Sequence, residues 1–202
     1  MKSKILLTVF ALCFTFINQV FANGFMEVAR VSKIHGTAFV KASGHQEKLK
    51  ESAEIAEGME VTIPKKGDFI EIKFQNGHLV RLVGAKVKVA MLNPKNTLFE
   101  LIKGKIFSAI KPLTENETFV VKTKNVSFAV RGTRYYIDES KKSSYLCVCE
   151  GVVAAKFPTS EIDVKKDEDL TVNSKKGEFK ATPASKMMID MGNKVFGEMG
   201  VL

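Results

Sequence analysis

The chain has 202 residues, 31 of them Lys or Arg and 22 Asp or Glu, for a formal net charge of +9. This length suits one domain with its own core plus an extension, and no run after residue 22 is long and apolar enough to span a bilayer. Lysine supplies most of the positive charge and attracts anions at long range, but no block of five or six like charges marks a dedicated patch.

The N-terminus reads as a secretory signal peptide. Lys2 and Lys4 precede the apolar run Ile5 to Ile17, which only two Thr interrupt. Asn18 and Gln19 end the run, and Val20-Phe21-Ala22 places small residues where a signal peptidase cuts. Cleavage is expected after Ala22. A bilayer span needs about 20 apolar residues, so the run is too short for a retained anchor. Cys13 follows bulky Leu12, which argues against a lipoprotein signal. Residues 1–22 are therefore the expected signal, 23–158 a β domain and 159–202 an extension. The product is expected to be soluble after cleavage and periplasmic or secreted.

Val28 to Phe157 reads as strands: short Val, Ile, Phe and Thr runs punctuated by Gly or Asn-Gly. The runs are Val31–Val40, Phe69–Phe74, Leu79–Val83, Val87–Leu92, Leu98–Ile110, Phe119–Thr123, Val126–Val130, Tyr135–Asp138 and Tyr145–Lys156. Asn76-Gly77 predicts a hairpin turn, and Pro64–Gly67 and Asn93–Asn96 predict turns by residue type. Glu51–Glu57 allows a single helical turn. A loose echo recurs around Gly36, Gly104 and Gly151, each with an apolar residue two positions later. Glycine inside a strand marks a bulge, a sharp bend or a close backbone approach.

The extension differs. Leu170–Val172, a turn at Asn173–Gly177 and Glu178–Lys180 predict a last hairpin. Thr182 and Pro183 then offer an N-cap and first helical residue. Met188, Met191, Val195 and Met199 form an apolar stripe at helical spacing. Gly192 and Gly197 weaken that helix by about 1 kcal/mol each, so it needs a surface to lie on. Two surfaces fit: its own domain, or a partner for which these four residues are the docking positions.

No catalytic, metal or cofactor site is legible. Cys147 and Cys149 point to one strand face about 7 Å apart, where they act as small buried hydrophobes or, with a local kink, a disulfide. No His or second Cys pair completes a four-ligand metal set. His35, His45 and His78 read as exposed turn residues, and Glu51, Glu54, Glu57 and Glu60 as a solvated face. Phosphate-loop, dinucleotide and serine-elbow motifs are absent. Lys103, Lys105, Lys111, Lys122 and Lys124 interleave with Phe107, Phe119 and Phe128, but half-buried strands alternate in the same way, and no nucleic-acid partner is inferred.

Taken in order, these turns resemble the FecR domain of bacterial envelope proteins across Val31–Phe157. The resemblance rests on Val31-x-x-Ile34-x-Gly36 and Glu57-Gly58-Met59-Glu60-Val61. It continues through Phe69–Leu82 around Asn76-Gly77-His78, and through Leu101–Ile106 around Gly104. Arg131-Gly132-Thr133 between two strands, and Glu150-Gly151-Val152-Val153, complete it. It implies an all-β, twisted, solenoid-like fold and a periplasmic sensing or interaction role. Gly36, Gly58, Asn76, Gly77, Gly104, Arg131, Gly132, Thr133 and Gly151 are its structural marks, and no binding residue is carried over. The best-known members add a cytoplasmic anti-sigma segment and a membrane span; neither is legible here, so a standalone secreted form is expected. The expected role is a non-enzymatic interaction or scaffold module contacting an envelope protein. The alternatives are a binder of an anionic envelope glycan or small ligand, and a component of a sigma-regulator type of transmembrane signalling system.

Overall fold

The structure, a computed structural model, describes residues 28–173 and 179–201. The expected signal peptide and most of the Asn173–Gly177 turn lie outside the described residues. The first strands are β1 (Ala29–His35), β2 (Phe39–Ala42), β3 (His45–Lys48), β4 (Glu54–Ile55), β5 (Glu60–Thr62), β6 (Phe69–Phe74), β7 (Leu79–Leu92) and β8 (Asn96–Ala109). There follow β9 (Thr118–Lys122), β10 (Ser127–Val130), β11 (Arg134–Glu139), β12 (Ser143–Glu150), β13 (Val152–Lys156), β14 (Glu161–Lys165), β15 (Glu168–Asn173), β16 (Thr182–Pro183) and one helix, α1 (Lys186–Glu198).

The class is mostly β, and all sixteen strands join one open sheet. Every ladder is antiparallel except β8 with β9. Strands β14 and β15 approach each other without pairing, as the sheet curls around its main core. Alternation explains that core. Ile70, Ile72 and Phe74 of β6 point inward with Val80 and Leu82 of β7, Phe99 and Leu101 of β8, and Phe119 and Val121 of β9, all at most 2% exposed.

A second, smaller core lies on the outer face. One row of cross-strand neighbours runs Glu71, Arg81, Phe107, Tyr136, Cys147. Helix α1 covers it with Phe196, Met199, Met188, Met191 and Val195. The middle of the sheet is thus buried on both faces, which is why Leu146, Cys147 and Val148 are all 0% exposed.

Several expected boundaries shift. Val31–Val40 is two strands broken at Gly36, whereas Leu79–Val83 and Val87–Leu92 fuse into β7 through a register irregularity. Tyr145–Lys156 is also two strands: the chain reverses partners at Gly151, β12 pairing with β11 and β13 with β10. Glu51–Glu57 holds no helical turn, because Glu54 and Ile55 pair with β1. Thr182 and Pro183 do not start α1. They pair with β15, the Thr182 hydroxyl donates to Asp169 at 2.8 Å, and the helix begins after Ser185.

Candidate functional site

The marked glycines all sit where the chain turns or strands cross. Gly36 follows β1, over the Asp68 carboxylate that accepts the Thr37 N–H at 2.8 Å. Gly58 lies in the turn before β5, and Gly104 in the middle of β8. Asn76 and Gly77 make the β6–β7 turn, where Gly77 N–H donates to the Phe74 carbonyl. Arg131-Gly132-Thr133 joins β10 to β11 and meets Gly151, which joins β12 to β13: a Cβ on Gly151 would lie 2.5 Å from Thr133 Cγ2 and 2.7 Å from the Gly132 carbonyl oxygen. These two connections form a double corner, because β10–β13 and β11–β12 are both pairs and cross over side by side. Thr133 is buried and Arg131 is exposed.

The four stripe residues of α1 lie on its own sheet. Met199 is 8% exposed, and Met188, Met191 and Val195 are half-buried against the Phe107–Tyr136 face. Sequence reasoning missed the polar clamp that fixes this helix. Arg81 is 3% exposed and holds Glu71 at 2.6 Å and Glu198 at 2.8 Å, and its guanidinium lies 4.4 Å from the Phe69 ring centroid. Arg134 ties down the chain end by donating to the Val201 carbonyl at 2.8 Å. Cys147 and Cys149 are free, buried thiols beneath the helix.

His78 departs from its expected exposure. It is 4% exposed against Phe74 and Phe119, its Nδ1 accepts the Lys111 N–H at 3.2 Å, and burial lowers its pKa. His35 and His45 are exposed. Phe107, Phe119 and Phe128 are core residues, so they offer no stacking surface. The Glu51–Glu60 carboxylates do not converge: Glu51 accepts from Ile34 N–H, Glu57 from Leu92 N–H, and Glu60 pairs with Lys86. Among the described residues no three metal-ligating side chains cluster.

One cleft stands out, and the topology makes it. One edge of β8 pairs with β7 along its whole length. The other edge pairs with β9 at Asn96–Glu100 and with β11 at Gly104–Ala109, so Leu101–Lys103 pair with neither. Both partner strands end at this fork and diverge. The opening has a volume of about 550 Å³ and is lined by residues 100–102, 122–125 and 139–141.

Its floor is polar. Thr123, Glu139 and Ser144 are the outermost members of three inward-facing series: Phe119-Val121-Thr123, Tyr135-Ile137-Glu139 and Ser144-Leu146-Val148. They are 4%, 6% and 0% exposed. Thr123 Oγ1 lies 2.9 Å from Ser144 Oγ, and the Ser144 hydroxyl donates to Glu139 Oε2. Burial raises the Glu139 pKa above the usual carboxylate range, against the pull of Ser144. The rim is basic. Lys124 sits on the turn closed by the Thr123 N–H donating to Val126, and Lys141 on the turn closed by the Ser140 N–H donating to Ser143.

Residues 60–154, from β5 into β13, match the family model described as FecR protein. The chain carries a FecR domain. The matched stretch contains the Gly104 crossing, the Arg131–Thr133 and Gly151 corner and all of the fork. Two crystal structures, each of a presumed anti-sigma factor from Parabacteroides distasonis, share its fold with a TM-score of 0.56 at 19% identity. Each alignment covers 65% of this chain and 62% of the other, so this chain spans less than two thirds of that protein's length. No curated protein matches.

Proposed function

We propose that this chain is a non-enzymatic FecR-type module of the bacterial envelope that acts by contacting a protein partner in a signalling system. The observation that carries this reading is the FecR domain itself, supported by fold likeness to a presumed anti-sigma factor. The arrangement of charged groups fits a contact role: Arg81, Glu71 and Glu198 are spent on holding α1. The N-terminal basic and apolar segment supports export and cleavage after Ala22, which would place the module in the periplasm or outside the cell. We divide the product into a β domain at 23–158 and an extension at 159–202, and read the curled sheet as the solenoid-like winding of the family.

The test is fractionation followed by photo-crosslinking in the native cells, with the probe at exposed Arg131 or Met187. A discrete envelope-protein adduct at one of these positions supports the reading. Retention in the cytoplasm, or no adduct from the envelope fraction, refutes it. A second reading, an anionic glycan or small ligand, is favoured by the lysine-rimmed fork.

A further inference from the structure

We infer that the fork of β8 is a binding site for a compact polyhydroxylated ligand carrying one anionic group, such as a sugar acid or a sugar phosphate. The inference deepens the second reading and is independent of the protein-contact reading.

The size is right: about 550 Å³ lies in the range of about 300–1,000 Å³ usual for small-molecule sites. The sign of the charge follows from a count over the lining residues. Lys122, Lys124 and Lys141 form no ion pair with a described residue. Of the two lining carboxylates, Glu100 already has Lys88 at 3.9 Å. The other, Glu139, is desolvated on the floor, hydrogen-bonded to Ser144 and attracted by Lys124, which leaves three lysines against two carboxylates. The mouth therefore carries a positive excess that focuses on an anion.

The rest of the lining suits hydroxyl groups and a C–H face. Ser140 on one rim turn and Thr123 and Glu139 on the floor line the opening with polar side chains, with Ser144 backing Glu139 from behind. Ile102, 50% exposed, supplies an apolar wall. The Leu101–Lys103 edge, left without a strand partner, adds backbone polar groups. The anionic group would sit between the Lys124 and Lys141 turns, with the hydroxyls toward Thr123 and Glu139.

The test is a ¹H–¹⁵N NMR titration of the secreted chain with glucuronate, glucose phosphate and neutral glucose. Saturable shifts at Ile102, Thr123 and Ser140 are expected with an anionic sugar and not with glucose. Replacing all three lysines (Lys122→Gln, Lys124→Gln, Lys141→Gln) should weaken binding at least about tenfold. Lys65→Gln with Lys66→Gln, exposed lysines that are not part of the fork's lining, should leave it unchanged. Response to glucuronate alone points to a carboxylated glycan as the source, and response to the phosphate alone to a phosphorylated one; either supports the site. Equal shifts with glucose, full binding by the triple variant, or no saturation with any probe at about 10 mM overturn it. The envelope adduct of the contact reading should persist in the triple variant, so the two readings fail separately.

Discussion

The Gly104 crossing can be tested against an internal control. Gly104 and Gly58 have nearly the same backbone angle, with φ of +89° and +85°. Their surroundings differ. A Cβ on Gly104 would lie 2.4 Å from the Gly84 carbonyl oxygen and 2.6 Å from Ala85 Cα, both backbone atoms of β7. A Cβ on Gly58 would meet nothing within 4 Å. Gly58→Ala thus carries left-handed strain alone, about 1–2 kcal/mol. Gly104→Ala carries the same strain plus overpacking against backbone that cannot rotate away, for a total of about 2–5 kcal/mol. The upper figure is a large part of the about 5–15 kcal/mol that holds a typical domain together. Urea unfolding monitored by circular dichroism measures both, the comparison being valid where the slope with denaturant is unchanged. Equal losses for the two variants would refute the claim that β7 and β8 touch at this glycine, and with it the geometry of the fork beside it.

The clamp and the fork give further expectations. Arg81→Met should cost about 3–5 kcal/mol, because it strands the buried Glu71 carboxylate. Glu198→Gln, at a half-exposed end of the same clamp, should cost about 0–1 kcal/mol; comparable losses in chemical denaturation would contradict this. Glu139 has a raised pKa, so the folded state holds its proton more tightly than the unfolded chain, and its contribution is complete at low pH and lost as pH rises through the folded pKa. Glu139→Gln should therefore flatten the fall in melting temperature as pH rises above the ordinary carboxylate range, and an unchanged slope would be evidence against a desolvated carboxyl. Phe196→Ala should cost about 3–5 kcal/mol and loosen α1, so that a maleimide labels Cys149 faster than in the parent chain. Unaltered labelling would mean that Phe196 does not anchor the helix.

What the sequence made legible was whatever alternates. Phe69–Phe74 coincides with β6 because one face is wholly apolar. The β3 residues His45–Lys48 are all exposed, so they leave no pattern; their extended form comes from backbone pairing with β2. In β14 only Val164 is buried, too little to announce a strand. The double corner was half-legible: Arg131–Thr133 and Gly151 were marked separately, and only the pairing of β10 with β13 brings them together. The fork has no motif at all, since it arises where β8 exchanges β9 for β11. Yet its floor left a trace. Thr123, Glu139 and Ser144 each put a polar residue at the end of an inward-facing apolar series, and three such endings meeting in one place are a signal that alternation alone could have raised.

The helix changes how contact could work. As an isolated segment α1 is weak. It has 13 residues, Ser185 makes no side-chain cap, its first turn has no acid and its last turn no base, and Gly192 and Gly197 interrupt it. Its order is borrowed from the Phe107–Tyr136 face, and at Gly192 the fit is so close that a Cβ would come within 2.7 Å of Cys149 Sγ. A partner that engaged Met188, Met191, Val195 and Met199 would first have to lift them from that face and break the Arg81–Glu198 pair. Docking through the stripe is then an exchange of one apolar surface for another, with a net gain only if the partner's surface is the better one. Contact that involves no exchange falls to groups already presented to solvent, chiefly Arg131 at the double corner and the lysine turns of the fork. Both lie within the matched FecR segment, whereas the helix lies beyond it.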